Sequence, residues 1–342
     1  MAHTVPFTAP SPNFPKDNMT PRSSLAILIL ALAFCGLRSD AAFEIRSVNV
    51  KGRVYVPLDD VAKYYGLQIW RSGDRVMLYS NRHRVQFTKN IRKMHIDKIM
   101  SYLFFPMLRH QNVDVISAED FTLFLDPILR PWGLPDKAVR TIMLDPGHGG
   151  KDSGAQGKRY KEKNLNLAMS RQVANLLRAR GYNVVFTRND DSYPTLSQRS
   201  VLAKQAKADL FVSIHNNATI QKTVTGIECF LATPKGTPAI HRQTAEKSSV
   251  PNNVYDRYNA LLGYEIHRRL IHNTQGKDRG IKYRRFDVLS NAPCPAILIE
   301  GGFLSNDKEE YLLGHPAYQA RICSAIADGI IAYDQGLRMA PR

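Results

Sequence analysis

The sequence of 342 residues predicts an α/β protein, a layered sheet flanked by helices, preceded by a small α+β module. Three observations support this class. From residue 141 onward, short apolar runs alternate with segments of helical spacing. Before residue 135, a short strand-and-helix pattern occurs twice. The content of 44% hydrophobic and 23% charged residues is typical of globular chains and argues against a mostly disordered one.

Residues 1–41 are predicted to be a secretory signal peptide. Arg22 precedes an apolar run over 25–37, which is short for a membrane span of about 20 residues. Small residues at Ser39 and Ala41 favour cleavage after Ala41, and either Met1 or Met19 could be the true start. We therefore expect an exported protein of the periplasm, cell envelope or exterior, with no stable membrane span after leader cleavage.

The module over 43–135 contains the imperfect repeat. Segment 54–62 resembles segment 113–121, and each is typical of a strand, a turn and a short helix. This twofold pattern resembles the copper-amine-oxidase N-terminal-like domain, which is common in exported, wall-associated bacterial proteins. The module has no clustered His/Cys set, so the resemblance implies no copper. It suggests a wall-binding role. The stretch 131–135, with two prolines and a glycine, is predicted to link it to the second part.

The spacing of apolar residues, together with glycine and proline breaks, predicts the strands and helices of the second part, 141–334. Predicted strands cover 141–144, 182–187, 210–214, 227–231 and 295–299, and predicted helices cover 165–177, 196–207, 256–273 and 316–333. The helix that closes the chain has Pro316 in its first turn, where proline is tolerated. Cys323 falls on the apolar face of this helix and is expected to be buried packing.

Polar residues follow three of these strands. His148, His215 and Glu300 stand at strand ends, where an α/β sheet forms its usual crevice, and Glu162 opens the first helix. Two histidines and a carboxylate suit a catalytic zinc ion. Spacing alone leaves other interpretations open, because single histidines are often structural and a glycine-rich turn can hold phosphate. The turn after residue 145 lacks both the dinucleotide spacing and the lysine of a P-loop.

Eight segments in order then resemble one family, the zinc-dependent N-acetylmuramoyl-L-alanine amidases, or type 3 cell-wall amidases. The segments are Asp145-Pro-Gly-His-Gly-Gly-Lys-Asp-Ser-Gly154, Glu162-Lys-Asn-Leu-Asn-Leu167, Thr187-Arg188, Leu196-Ser-Gln-Arg199, Asp209-Leu-Phe-Val-Ser-Ile-His-Asn-Asn-Ala218, Gly226-Ile-Glu228, Arg279-Gly-Ile-Lys282 and Ile299-Glu-Gly-Gly-Phe-Leu-Ser-Asn306. The resemblance covers 141–334 and implies a mixed, mostly parallel six-stranded sheet flanked by helices.

The resemblance also implies the chemistry. One Zn²⁺ per chain would be held by His148, Glu162 and His215. Glu300 would act as general base and acid with a zinc-bound water, on the amide between N-acetylmuramic acid and L-alanine in peptidoglycan. Asn217 and Arg285 are candidate substrate contacts.

The segment 233–256 lies where some family members carry a long regulatory helix, and it is too short for that helix. One hypothesis is that Glu246 or His241 reaches the metal in a resting state. The alternative is a plain surface loop. His267 and His272, on the next helix, are predicted to lie at the surface or rim.

The net charge of +17 favours a polyanionic neighbour. Peptidoglycan carboxylates and anionic wall polymers fit this charge, and so does a basic surface with no specific partner. Export and the lack of a recognition-helix motif argue against nucleic acid. Two rival functions stay open: a zinc peptidase that cuts within the stem peptide, and a wall-binding protein without catalysis.

Overall fold

The computed structural model describes residues 45–338, so the predicted signal peptide lies outside the described part. Its strands are β1 Val48–Val50, β2 Arg53–Pro57, β3 Gln68–Ser72, β4 Arg75–Tyr79, β5 Arg84–Thr88, β6 Lys93–Ile96, β7 Ile99–Tyr102, β8 Leu108–His110, β9 Val113–Ser117, β10 Thr141–Pro146, β11 Asn183–Phe186, β12 Leu210–Asn217, β13 Ile227–Leu231, β14 Asp278–Tyr283 and β15 Ala296–Phe303. Its α-helices are α1 Leu58–Tyr64, α2 Asp126–Leu129, α3 Glu162–Arg178, α4 Leu196–Gln205, α5 Asp256–Thr274, α6 Asp287–Ser290, α7 Asp307–Gly314 and α8 Pro316–Arg338. None of the described helices is long and apolar enough to cross a membrane.

The second part of the chain forms six neighbouring strands in the order β11-β10-β12-β15-β13-β14. Every neighbouring pair is parallel except β13 and β15, which are antiparallel. The predicted mixed, mostly parallel six-stranded sheet is therefore confirmed. Strand β14 was not predicted.

Side chains alternate between two apolar layers, which is why helices cover both faces. On β15, Ile297 and Ile299 join the larger core with α3, α5 and α8. Ala296 and Leu298 point to the opposite side, into a smaller core with residues of α4 and α6. Cys323 is fully buried in the larger core, as predicted.

The module shows the predicted repeat. Strand β2 leads into α1, and β9 leads into a π-helical turn, Asp120–Leu125. The two repeats meet where β2 and β9 pair antiparallel in a four-stranded sheet, β1-β2-β9-β8.

The other module strands continue the sheet of the second part. Strand β7 pairs parallel with β14 at Ser101 and Ile281, and β6, β5, β4 and β3 follow, which gives eleven strands in all. The backbone N–H of Met100 also donates to Asp278 Oδ2 at 2.8 Å. The predicted linker contains a short 3₁₀ helix, and its Leu134 is buried in the core that both parts share. The two sequence regions thus form one continuous sheet and core.

Candidate metal and catalytic site

The four predicted site residues converge at one edge of the sheet. His148 follows β10, and His215 lies near the end of β12. Glu300 on β15 is the cross-strand neighbour of His215. Glu162 is the first residue of α3. Parallel strands bring their carboxyl ends to the same edge, so residues 152 positions apart can meet there.

Two imidazoles and one carboxylate form a compact donor set. His148 Nε2 lies 3.1 Å from Glu162 Oε2, and His215 Nδ1 lies 2.9 Å from Glu162 Oε1. One ligand atom from each residue lies within 4.8 Å of the others. Ligand atoms of one tetrahedral zinc ion are about 3.4 Å apart, given bond lengths of about 2.1 Å. The residues therefore fit zinc in both donor type and spacing.

Two glycines allow the loop after β10 to approach His215 and Glu162. A Cβ on Gly147 would stand 2.2 Å from His215 Cε1, and a Cβ on Gly154 would stand 2.5 Å from Glu162 Oε2. His148 itself has a left-handed backbone, with φ of 63°. Its Nδ1 lies 2.8 Å from Asp152 Oδ2, a carboxylate contact that orients the ring, as is usual for metal-binding histidines.

Two buried arginines hold this loop by hydrogen bonds to its backbone carbonyls. Arg188 donates to the carbonyls of Pro146 and Gly147, both at 2.9 Å. Arg199 donates to the His148 carbonyl at 2.9 Å and to Asp145 Oδ1 at 2.6 Å. Both arginines belong to motifs found in the sequence, but no role was assigned to them. Their structural role depends on distant carbonyls that no local pattern reveals.

Glu162 is held in its ionised form. Burial by itself would raise the pKa of this carboxyl, but hydrogen bonds and charge from His148 and His215 hold it well below its usual range. The backbone N–H of Ala155 donates to Oε2 at 2.8 Å, and that of Asn216 donates to Oε1 at 3.1 Å. An ionised carboxylate with this many donors is fixed in place and is suited to bind a metal ion.

Glu300 has the opposite environment. Its Oε2 is buried and has no hydrogen-bond partner among the described residues. Burial, followed by the charges of Glu162 and Glu228, raises the pKa of Glu300 well above its usual range, although Lys282 opposes the shift. A carboxyl with a raised pKa and an unpaired oxygen is suited to accept and return a proton.

A buried charge cluster borders Glu300 on β13. Glu228 is the cross-strand neighbour of Glu300. Its Oε2 accepts hydrogen bonds from Arg279 Nε at 2.7 Å and from the Lys282 ammonium, and its Oε1 accepts one from Asn217 Nδ2 at 3.0 Å. Asn217 therefore lies beside this cluster, and its role as a substrate contact stays a prediction. Glu228 received no role from the sequence, although a charged residue inside an apolar strand was the available signal.

Arg285 is occupied elsewhere. Its Nη1 donates to Ser248 Oγ at 3.1 Å and lies 3.6 Å from Glu246 Oε2. The Glu246 carboxylate thus faces Arg285 and is not one of the three clustered ligands, and His241 is exposed. This arrangement gives no support to the hypothesis that Glu246 or His241 reaches the metal in the resting state.

The prediction for His267 was wrong. This side chain is fully buried, and its Nε2 lies 2.8 Å from Asp278 Oδ1. Asp278 begins β14, which the sequence analysis did not identify, so no partner for a buried histidine was apparent. His272 is exposed, as predicted.

A cleft connects the donor set to solvent. It is lined by His148, His215 and Glu300, by Tyr193 and Leu196 before and at the start of α4, and by Phe286 and Val288 before and within α6. The site can therefore be reached from outside, with apolar walls on two sides.

Comparison with known proteins decides the family. The sequence model for N-acetylmuramoyl-L-alanine amidases matches residues 142–332. The chain belongs to this family. The amidase is 31% identical over 219 residues to the N-acetylmuramoyl-L-alanine amidase AmiA of Escherichia coli, an alignment that covers 57% of this chain and 76% of AmiA. It is 33% identical over 218 residues to the germination-specific N-acetylmuramoyl-L-alanine amidase of Bacillus subtilis, covering 60% and 83% of the two chains.

Among solved structures, the amidase is similar to the catalytic domain of CwlV, an N-acetylmuramoyl-L-alanine amidase from Bacillus (Paenibacillus) polymyxa var. colistinus. That match has 34% identity and a TM-score of 0.48, and it covers 57% of this chain and 97% of that one. Family membership makes the chain a peptidoglycan amidase. It argues against both rivals, the stem-peptide peptidase and the wall-binding protein without catalysis.

Proposed function

We propose that the amidase cleaves the amide between N-acetylmuramic acid and L-alanine with one zinc ion held by His148, Glu162 and His215, and with Glu300 as the proton carrier. The observation that carries the proposal is the juxtaposition of the three donors, within 4.8 Å of one another, with an unpaired carboxyl on the next strand.

The donor set supports zinc. Catalytic zinc sites use three protein ligands of the nitrogen and oxygen types found here. When bound, the ion supplies Lewis-acid polarisation of the scissile carbonyl and lowers the pKa of water beside it. The contact from Asp152 to His148 and the backbone N–H groups on Glu162 fix the ligands before the ion arrives.

Glu300 moves the proton. Its carboxylate takes a proton from the attacking water as the new C–O bond forms on the lactyl carbonyl carbon. It then delivers that proton to the nitrogen of L-alanine as the C–N bond breaks. The products are a muramic acid with a free lactyl carboxylate and a stem peptide that begins with L-alanine. We propose Asn217 as a substrate contact, since Glu228, the cross-strand neighbour of Glu300, holds its amide in one orientation.

Two variants test these assignments. Glu300→Gln should keep one zinc per chain and lose about 10²–10⁴-fold in turnover, which is the usual contribution of a positioned acid or base. His148→Ala should lose both zinc and turnover. Asp307→Asn, an exposed carboxylate paired with Lys158, is the matched control and should change neither. Hydrolysis at the wild-type rate by Glu300→Gln would refute the assigned proton carrier.

Mass spectrometry of digested sacculi tests the bond that is cut. The proposal predicts intact stem peptides with L-alanine at the amino terminus. Stem fragments that begin at a later residue would instead identify a peptidase.

We further infer the organisation 1–41 signal peptide, 43–135 module and 141–334 catalytic part, and export to the envelope, where anionic wall polymers would retain a basic protein. Fractionation of cells, with sequencing of the mature amino terminus, tests this organisation. Recovery of the uncleaved chain in the cytoplasm would overturn it.

A further inference from the structure

The catalytic edge and the module are joined by one cross-sheet row. Glu300 neighbours Glu228 on β13. The row then crosses β14 at Gly280, where an added Cβ would stand 3.1 Å from the Met100 carbonyl oxygen. From there the register pairs run along the module, strand by strand: Met100, His95, Gln86, Met77 and Trp70. Seven strand spacings separate Glu300 from Trp70, or about 34 Å.

The side chains of this row lie on the same face of the sheet. On β15 and β14, Ile299 and Ile281 point into the larger core, so Glu300 and its row point away from it. In the module, Val85 and Phe87 are in that same core, and so Gln86 between them faces outward. We call the outward positions of β3–β7 other than buried Met100 the outer face; they are Gln68, Trp70, Ser72, Arg75, Met77, Tyr79, Arg84, Gln86, Thr88, Lys93, His95 and Tyr102.

Within the described chain, six positions of the outer face are exposed and the other six are half-buried. Trp70 is 44% exposed, and none of the twelve side chains has a hydrogen bond or ion pair among residues 45–338. Arg75, Arg84 and Lys93 are exposed, and no acidic residue stands at any of these positions. A solvated sheet face is normally polar. This face combines an exposed tryptophan, the half-buried Met77, Tyr79 and Tyr102, and three cations with no anion, which is typical of a binding surface.

The chemistry of the face fits one polymer. Sugar rings present apolar C–H faces that pack on aromatic side chains, and their hydroxyl and acetamide groups pair with amides and imidazoles. Stem-peptide carboxylates would pair with the arginines and the lysine. We propose that the outer face binds the glycan strand and stem carboxylates of the same peptidoglycan that is cut at Glu300. This inference rests on the proposed function and deepens it, because it assigns the enzyme a second contact with its substrate.

Geometry makes the effect depend on substrate length. The face lies up to about 34 Å from Glu300, and the usual twist of about 20° per strand turns it progressively away from the crevice. A small muramoyl peptide in the cleft cannot touch Trp70, whereas an extended polymer can engage both regions. Trp70 and the outer positions of β4 to β6 should therefore matter for polymeric substrate alone.

The test compares polymer with small substrate. The triple variant Trp70→Ala, Arg84→Gln, Lys93→Gln removes an aromatic and two charges from exposed positions, so the fold should be kept. Trp132→Ala is the matched control, because Trp132 is also 44% exposed and lies outside the face. Binding is measured by co-sedimentation with sacculi stripped of accessory polymers, in a Glu300→Gln background, and hydrolysis is measured on those sacculi and on a soluble muramoyl peptide.

We expect the triple variant to lose about tenfold in sacculus binding and in kcat/KM on sacculi, as removal of an aromatic and charged anchor usually does. Its hydrolysis of the soluble peptide should equal that of wild type. Unchanged binding to stripped sacculi would overturn the proposal, as would an equal loss on both substrates. Binding that appears only when anionic accessory polymers are present would assign the face to those polymers instead. Failure of the wild type on the soluble peptide would refute the proposed function, while the binding assay would still decide the role of the face.

Discussion

The buried ion pair beneath the histidine loop offers a quantitative test. Asp145 ends the apolar part of β10 and is completely buried. Its carboxylate accepts hydrogen bonds from Arg199 Nη1 at 2.6 Å, Thr187 Oγ1 at 2.6 Å and Ser213 Oγ at 2.7 Å. The substitution Asp145→Asn keeps the shape of the side chain and removes the charge, which leaves the Arg199 guanidinium buried without its counter-ion.

Breaking one side of a buried pair costs about 3–5 kcal/mol, chiefly because the remaining charge is uncompensated. At about 2.1 cal/mol/K of unfolding entropy per residue, the described part of the chain has an unfolding entropy of about 0.6 kcal/mol/K. The expected fall in Tm is therefore about 5–8 °C. Arg199 also donates to the His148 carbonyl, so we expect weaker zinc retention in the same variant.

Thermal unfolding of Asp145→Asn, Arg199→Met and the double variant measures the interaction energy between the two side chains. The double variant should be more stable than the sum of the single losses predicts, since neither charge is then left alone. Additive losses, or a Tm within 1 °C of wild type for Asp145→Asn, would contradict the reasoning.

The same pair predicts the direction of an acid effect. Burial would raise the pKa of Asp145, but Arg199 and the two hydroxyls hold it below its ordinary value of 3.8. A depressed carboxyl pKa contributes stability above pH 3.8, and that contribution is lost as the pH falls through the folded-state pKa. The difference in Tm between wild type and Asp145→Asn should therefore be largest near neutral pH. It should shrink as the pH falls below 3.8. A gap that widens on acidification would be inconsistent with an ionised Asp145.

Two further predictions concern the surroundings of the site. Gly147→Ala should displace the His215 ring, because the new Cβ would stand 2.2 Å from His215 Cε1. Zinc binding measured by equilibrium dialysis should then weaken about 10–100-fold. Gly336→Ala should leave zinc binding unchanged, because the nearest atom to its Cβ, Pro131 Cβ, would be 3.5 Å away. Arg92 donates hydrogen bonds to the carbonyls of Pro238 and Ala239, at 3.1 and 3.3 Å. Arg92→Ala should therefore speed limited proteolysis within 233–256. An unchanged cleavage rate would show that other contacts hold this segment in place.

Local periodicity was sufficient to predict most of the catalytic sheet and its helices, because each buried element repeats its apolar residues at its own period. It failed at β14, where Arg279 and Lys282 interrupt the pattern. These cations are accommodated by Glu228, about fifty residues earlier in the chain, and a local window cannot register such a partner. His267 was misplaced for the same reason, since its partner Asp278 begins that missed strand.

The continuity of the sheet was also beyond the sequence. The pairing of β7 with β14 joins residues about 180 positions apart, and proline and glycine between the two regions suggested a boundary instead. In the structure these residues form a short 3₁₀ turn against the shared core. The proline and glycine residues predicted a linker, but a turn in the chain does not by itself separate two cores.

The distribution of cations explains which carboxyl can carry the proton. Glu162, Glu228 and Glu300 lie close enough that the charges of the first two raise the pKa of the third. Glu228 is matched by Arg279 and Lys282, and Glu162 by two imidazoles. Glu300 has no cation of its own among the described side chains within ion-pair distance. Because neighbouring carboxylates ionise less readily without counter-charge, the pKa rises at the member that lacks a partner. The roles proposed for Glu162 and Glu300 thus agree with where the sheet places the hydrogen-bond donors and cations around each carboxyl.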